Sequence, residues 1–103
     1  MSKIKENASL TGKQVRHLRA LGHHLKAVVL VGKEGISPAL VNTVDECLTN
    51  HELLKIKLLE TCPEDRREAA YEVARQTHSH VAQVVGRTIL LYRKGENPEI
   101  TLP

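Results

Sequence analysis

Apolar positions along this chain follow two rhythms. Val15, Leu18, Leu21 and Leu25 recur at helical spacing and predict one buried stripe. Thr11 opens that helix as an N-cap, Gln14 completes a capping box, and Leu10 with Val15 suits a hydrophobic staple. Gly22 fits a helix-ending C′ glycine. Residues 27–31 (Ala-Val-Val-Leu-Val) are an unbroken, mostly β-branched run and predict a buried strand. Ser37 and Pro38 then read as N-cap and first helical residue, and the helix to about Asn50 buries Leu40, Val41, Val44 and Leu48.

From Glu52 to Leu59 the period drops to two, with Leu54, Ile56 and Leu58 on one face and Lys55 and Lys57 on the other, as in a half-exposed strand. Thr61-Cys62-Pro63-Glu64 predicts a second capping box. The helix after it runs to about His78 with Ala70, Val73, Ala74 and Thr77 inward. Val81–Val85 and Thr88–Arg93 flank Gly86-Arg87 and predict a hairpin with a type II′ turn. Residues 95–103, with Gly95, Asn97, Pro98 and Pro103, read as a flexible tail.

The order is α-β-α-β-α-β-β. Strand–helix–strand units favour parallel pairing, and the final hairpin makes one pairing antiparallel. The expected fold is an α/β (α+β) single domain: a four-stranded mixed sheet packed with helices. At 103 residues, 41% hydrophobic and 26% charged, the chain suits one globular domain. We assign it residues 1–94, with residues 1–9 a basic arm. No stretch approaches ~18 uninterrupted apolar residues, so no membrane span is expected. No secretion signal is visible at the N-terminus. Cys47 and Cys62 fit no CxxC pattern and read as reduced thiols of a cytoplasmic protein.

Charge is divided unevenly. Residues 1–33 carry seven Lys/Arg and one acid, whereas the rest is net acidic, although the whole chain is +3. The basic residues Lys13, Arg16, His17, Arg19 and His24 make a ridge along the first helix, which suits a polyanion as it also suits a solvated face. Between the first strand and second helix lies Gly32-Lys33-Glu34-Gly35. Such a GxxG turn lets a nucleic-acid backbone come close to a protein backbone, because glycine has no Cβ and tolerates positive φ. A helix start beside it offers free N–H groups to a phosphate. An ordinary short βα connection has the same composition. The spacing is neither a P-loop nor a dinucleotide fingerprint. Lys55 and Lys57 are a second candidate surface, and Arg87, Arg93 and Lys94 are hairpin-end cations open to either reading.

Catalytic chemistry finds no constellation. Ser37 is explained as a cap, Cys47 as a core residue, and Glu64, Asp65, Glu68 and Glu72 interleave with arginines as a solvated face. His23-His24 and His78-Ser79-His80 lack the third and fourth ligands a metal needs, so neither metal nor cofactor is expected. Tyr71 and Tyr92 are the only aromatics besides histidine, which weighs against base-stacking platforms.

The basic helix, Val31-Gly32-Lys33-Glu34-Gly35-Ile36, and Val84-Val85-Gly86-Arg87-Thr88-Ile89-Leu90-Leu91-Tyr92-Arg93 together resemble the CRM domain, named for chloroplast RNA splicing and ribosome maturation. The resemblance spans roughly residues 9–94 and points to the stand-alone bacterial form. It implies a fold similar to the C-terminal domain of bacterial translation initiation factor three. It implies RNA binding through Gly32, Lys33, Glu34 and Gly35 with the adjoining basic surface, and association with ribosomal RNA of large-subunit precursors. The expected protein is a monomeric, non-enzymatic ribosome-assembly factor with no small-molecule substrate. The alternative is a protein–protein adaptor on ribonucleoprotein particles.

Overall fold

A computed structural model of the chain describes residues 9–103, so most of the expected basic arm lies outside the described residues. The elements are α1 (Gly12–Gly22), β1 (Val29–Val31), α2 (Pro38–Asn50), β2 (Leu53–Leu58), α3 (Arg66–Thr77), β3 (His80–Val85) and β4 (Thr88–Tyr92). The sheet order is β1-β2-β4-β3. β1 and β2 are parallel, and β4 is antiparallel to both of its neighbours. This is the mixed α+β architecture that the pattern predicts.

Local chemistry sets the boundaries. The Thr11 hydroxyl accepts from Gln14 N–H at 3.1 Å and the Gln14 side chain accepts from Thr11 N–H at 3.0 Å, which is the predicted capping box. Ser37 accepts from Leu40 N–H at 3.2 Å, with Pro38 in the first turn. The Gly86-Arg87 turn has positive φ (57°) at Gly86 alone among its two central residues, as a type II′ turn requires. The box at Thr61–Glu64 does not form. Asp65 caps α3 instead, accepting from Arg67 N–H and Glu68 N–H. Asp65 is itself a favoured cap and needs no partner three residues on. Glu64 is left free to reach elsewhere.

Two clusters flank the sheet. Leu54, Ile56 and Leu58 of β2, Val29 and Val31 of β1, and Ile89 and Leu91 of β4 face α2 and α3, meeting Val44, Leu48, Ala69, Ala70, Val73 and Ala74. The opposite face meets α1: Leu18 packs with Leu53, Ala82, Leu90 and Tyr92, and Leu10, Ile100 and Leu102 close round them. The α1 stripe is narrower than predicted. Leu18 is fully buried, whereas Leu21 and Leu25 are 41% and 38% exposed. The chain leaves the sheet after Gly22, so Leu25 sits in the following loop. Gly22 is no C′ cap: it is the last helical residue, and His23 after it stays right-handed. Its role is close approach, since a Cβ there would lie 2.8 Å from both δ-carbons of Leu90. β1 also departs from the buried-strand expectation. It is an edge strand, and Val28 and Leu30 on its outer face are 64% and 57% exposed.

The C-terminal segment is tied down, contrary to the loose tail expected. The Glu52 carboxylate accepts from Gly95 N–H (2.7 Å), Glu99 N–H (2.8 Å) and Ile100 N–H (2.9 Å). Gln14 donates to Pro103 O at 3.3 Å. Gly and Pro content signals irregular backbone, not freedom. One carboxylate, 43 to 48 residues away in sequence, satisfies that backbone. Arg93 is likewise structural. Its guanidinium donates to Asp45 Oδ1 (2.6 Å), Asp45 O (3.0 Å), Thr49 Oγ1 (3.0 Å) and Thr77 O (2.8 Å), joining β4 to the C-terminal halves of α2 and α3.

Arg93→Ala therefore removes a charge-assisted cluster and should lower the unfolding free energy by about 2 kcal/mol, read from urea denaturation. Burial alone would raise the Glu52 carboxyl, but the three backbone N–H groups and Lys94 outweigh it and hold it below its ordinary value of 4.5. A depressed carboxyl stabilises the fold above its unfolded pKa, and that contribution is lost as pH falls through the folded value. Amide exchange at Gly95, Glu99 and Ile100 should accelerate as pH falls below 4.5, after correction for intrinsic exchange, and should be fast at neutral pH in Glu52→Gln.

Candidate nucleic-acid interface

α1 covers only part of its sheet face. Beside it runs a groove of about 660 Å³, lined by Arg16, Arg19, Ala20 and His23 of the helix region and Lys55, Gln83, Val85, Thr88 and Leu90 of the sheet. Among the described residues, none that lines it is Asp or Glu. At about 100° per residue, Arg16, Arg19 and His23 fall on one flank of the helix. Lys13, His17 and His24, expected on the same ridge as Arg16, do not line the groove. On the far flank a second depression is formed by Leu21, Leu25, Glu52, Leu53 and the C-terminal segment.

β2 carries the charge onward. Lys55 is paired with Leu90 and Lys57 with Thr88 on β4, and Lys57 is also opposite Leu30 on β1. Both lysines share the α1 face, about 7 Å apart along the strand. Leu59 continues that face. Its N–H donates to Val31 O at 2.9 Å, where β1 runs into the Gly32–Gly35 turn. The groove and the glycine turn are thus two ends of one surface, spanned by Lys55 and Lys57.

The turn is closed by Gly35 N–H donating to Gly32 O at 3.0 Å and Ser37 N–H donating to Gly35 O at 2.9 Å, and it leaves Lys33 and Glu34 exposed at the tip. Its two glycines differ. Gly35 has φ 65°, and a Cβ there would overlap the Glu64 carboxylate. Glu64 braces the turn: its Oε2 accepts from Ile36 N–H at 3.5 Å, while Oε1 lies 3.5 Å from the Cys62 thiol. Burial, chiefly, pushes the Cys62 thiol up, so it stays protonated and can donate. Gly32 meets no such limit; a Cβ there would find only ordinary contacts with Thr61 and Leu59. Positive φ, expected to be available at both, is used at Gly35 alone.

Hairpin-end cations are partly committed inside the molecule. Arg87 donates to Leu59 O at 3.2 Å and Arg66 to Gly86 O at 3.1 Å, pinning the hairpin turn beside the end of β2. His23, weighed in the sequence only as half of a His-His pair, and Gln83 and Thr88 were not among the residues expected to bind RNA. His23 lies seven residues after Arg16 and was legible from helical spacing. Gln83 was not: a bulge between Val81 and Gln83 lets both Ala82 and Gln83 serve the α1 face, while Val81 and Val84 pack against the opposite cluster. Among the described residues, no group of three or more His, Cys, Asp or Glu is placed to hold a metal ion, and no helix is long and apolar enough to cross a membrane.

Fold and groove define a small α+β module with one cation-lined sheet face. The family model of the CRS1 / YhbY (CRM) domain matches residues 10–93, and the chain belongs to that family. It is 39% identical over 95 residues to a Bacillus subtilis protein named probable RNA-binding protein YqeI, covering 91% of this chain and 99% of the relative. It is 34% identical over 94 residues to probable RNA-binding protein PA4753 of Pseudomonas aeruginosa, covering 91% and 90%. The solution structure of the hypothetical protein SAV1595 of Staphylococcus aureus, described as a candidate RNA binding protein, superimposes with a TM-score of 0.79 at 40% identity, covering 91% of this chain and 99% of that one.

The glycine contrast is testable by unfolding. Gly35→Ala forces an unfavourable left-handed alanine and displaces Glu64, and should cost at least about 1–2 kcal/mol. Gly32→Ala should change stability by less than about 0.5 kcal/mol.

Proposed function

We propose that this protein is a non-catalytic RNA-binding protein. It grips the RNA backbone along the surface running from Arg16, Arg19, His23 and Lys55, through Lys57, to Lys33 and the backbone of Gly32–Gly35. The observation that carries this reading is the groove itself. Four side chains capable of positive charge converge there without one acid lining the groove among the described residues, although the chain as a whole is only +3. A polyanion meets such a surface by releasing its counterions. Gly32 supports the same reading, because the fold itself places no demand for glycine at that position. The relatives named as probable RNA-binding proteins match nearly the whole chain length, and the SAV1595 structure shares the fold.

The cellular partner we propose is ribosomal RNA in precursors of the large ribosomal subunit, as the family resemblance implies, with the protein acting in assembly in the cytoplasm as a monomer. Co-migration with large-subunit precursors in gradient sedimentation, lost as salt is raised, is the expected result. Migration as free small protein at every salt concentration would remove the assembly role and leave general RNA binding.

In vitro, six phosphate contacts should give a log–log salt slope of about −4 to −5. Arg16→Ala/Arg19→Ala/Lys55→Ala should make that slope shallower by about 2–3 while unfolding stays near wild type. A triple variant with the wild-type slope and affinity would show that RNA binds elsewhere.

A further inference from the structure

Across the open part of the sheet, residues stand in register on the α1 face. One row crosses all four strands as Leu30, Lys57, Thr88 and Val85, and the next runs Lys55, Leu90 and Gln83. Leu30 and Val85, at the two ends of the first row, are 57% and 58% exposed. Thr88 and Gln83 are the neutral polar side chains of this strip. The α1 cations lie on one side of them, and Lys33 lies beyond the end of β1.

The strip has no aromatic residue. Tyr71 is on α3, which packs against the other face of the sheet, and Tyr92 is buried beneath α1. Proteins that read single strands splay the bases and stack them on aromatic rings or guanidinium planes. The guanidinium planes of Arg16 and Arg19 and the His23 ring lie to one side of the strip, and the branched aliphatic side chains at its two ends, Leu30 and Val85, offer no such planes. These aliphatic side chains do suit the CH edges of ribose. Double-helical RNA presents a wide, shallow minor groove lined by ribose and 2′-hydroxyl groups, with a phosphate backbone on either side. Four strands at about 4.8 Å make a platform about 14 Å across, broad enough to lie over that shallow surface.

We propose that this face takes double-helical RNA across its minor groove. Thr88 and Gln83 hydrogen-bond ribose 2′-hydroxyls, Leu30 and Val85 lie against ribose, and the α1 cations and Lys33 hold the flanking phosphates. This rests on the RNA-binding reading and names the class of RNA that the same surface accepts.

The test is equilibrium binding by fluorescence anisotropy to an RNA duplex of about 16 base pairs, the DNA duplex of the same sequence, and each RNA strand alone. The RNA duplex should bind about tenfold or more tighter than the DNA duplex or either strand. Thr88→Val, near-isosteric, should narrow the RNA-over-DNA ratio about three- to tenfold at an unchanged salt slope. Gln83→Leu gives the same readout should Thr88→Val fail to fold. Tighter binding to single strands, or equal binding to RNA and DNA duplexes, overturns this inference and leaves RNA binding standing. Folded Thr88→Val and Gln83→Leu proteins that both keep the full ratio overturn the roles of these two residues. No binding to any RNA overturns the functional reading as well.

Discussion

The side-chain alternation of β2 governs what is built around it. Lying second in the sheet, β2 is the strand through which β1 joins the hairpin. Leu54, Ile56 and Leu58 are all buried against α2 and α3, so the strand cannot slip by one residue without turning three large side chains out and two lysines in. That constraint sends Leu53, Lys55 and Lys57 to the other face. Leu53 goes under α1, Lys55 to its margin and Lys57 into the open. Core and cationic surface are thus fixed by one register, and the position of each lysine is set by the burial of its neighbours.

Coverage of that second face is divided by α1. The helix rests on Leu90 closely enough that a Cβ at position 22 would displace the end of that side chain. Leu10, Ile100 and Leu102 extend the cover on the same side, where Glu52 ties the C-terminal segment. Among the described residues, no segment extends the cover on the Arg16–Arg19 flank. The ends of β1 and β3 therefore keep Leu30 and Val85 exposed, although strands of this composition ordinarily end up under a helix. Lys57 stands between these two residues and Arg16, Arg19 and Lys55 lie beside them, so under the proposed function the exposed patch is a contact surface.

Much of this was legible in the sequence. Element order, both helix starts at Thr11 and Ser37, the hairpin turn and the facing of β2 follow from local patterns, because each is decided within a few residues. What was not legible depends on long-range geometry. An uninterrupted apolar run such as residues 27–31 does not say whether the strand is central or at an edge, and here it is an edge. The C-terminal segment has no local order signal, and its anchor, Glu52, is remote in sequence. For the site, Lys55, Lys57, Arg16 and Arg19 were singled out, but only the fold brings Lys55 into one groove with the two arginines. The ridge drawn from charge alone merged the two flanks of α1, separating which requires knowing where Leu18 points. Gln83 was hidden by a bulge that breaks the period of two.

The glycine turn shows how fold and function can be separated at neighbouring positions. Gly35 is required twice over, by its left-handed backbone and by the Glu64 carboxylate lying against it. Its presence is therefore explained without any ligand, and by itself says nothing about RNA. Gly32 carries neither demand, and a methyl group there would meet only ordinary contacts. A flexible residue that the fold does not need costs conformational entropy in the unfolded chain and returns no packing. Under the proposed function, close approach of an RNA backbone is what a glycine at position 32 would serve. Lys33, exposed beside it, supplies the charge that a phosphate would meet there.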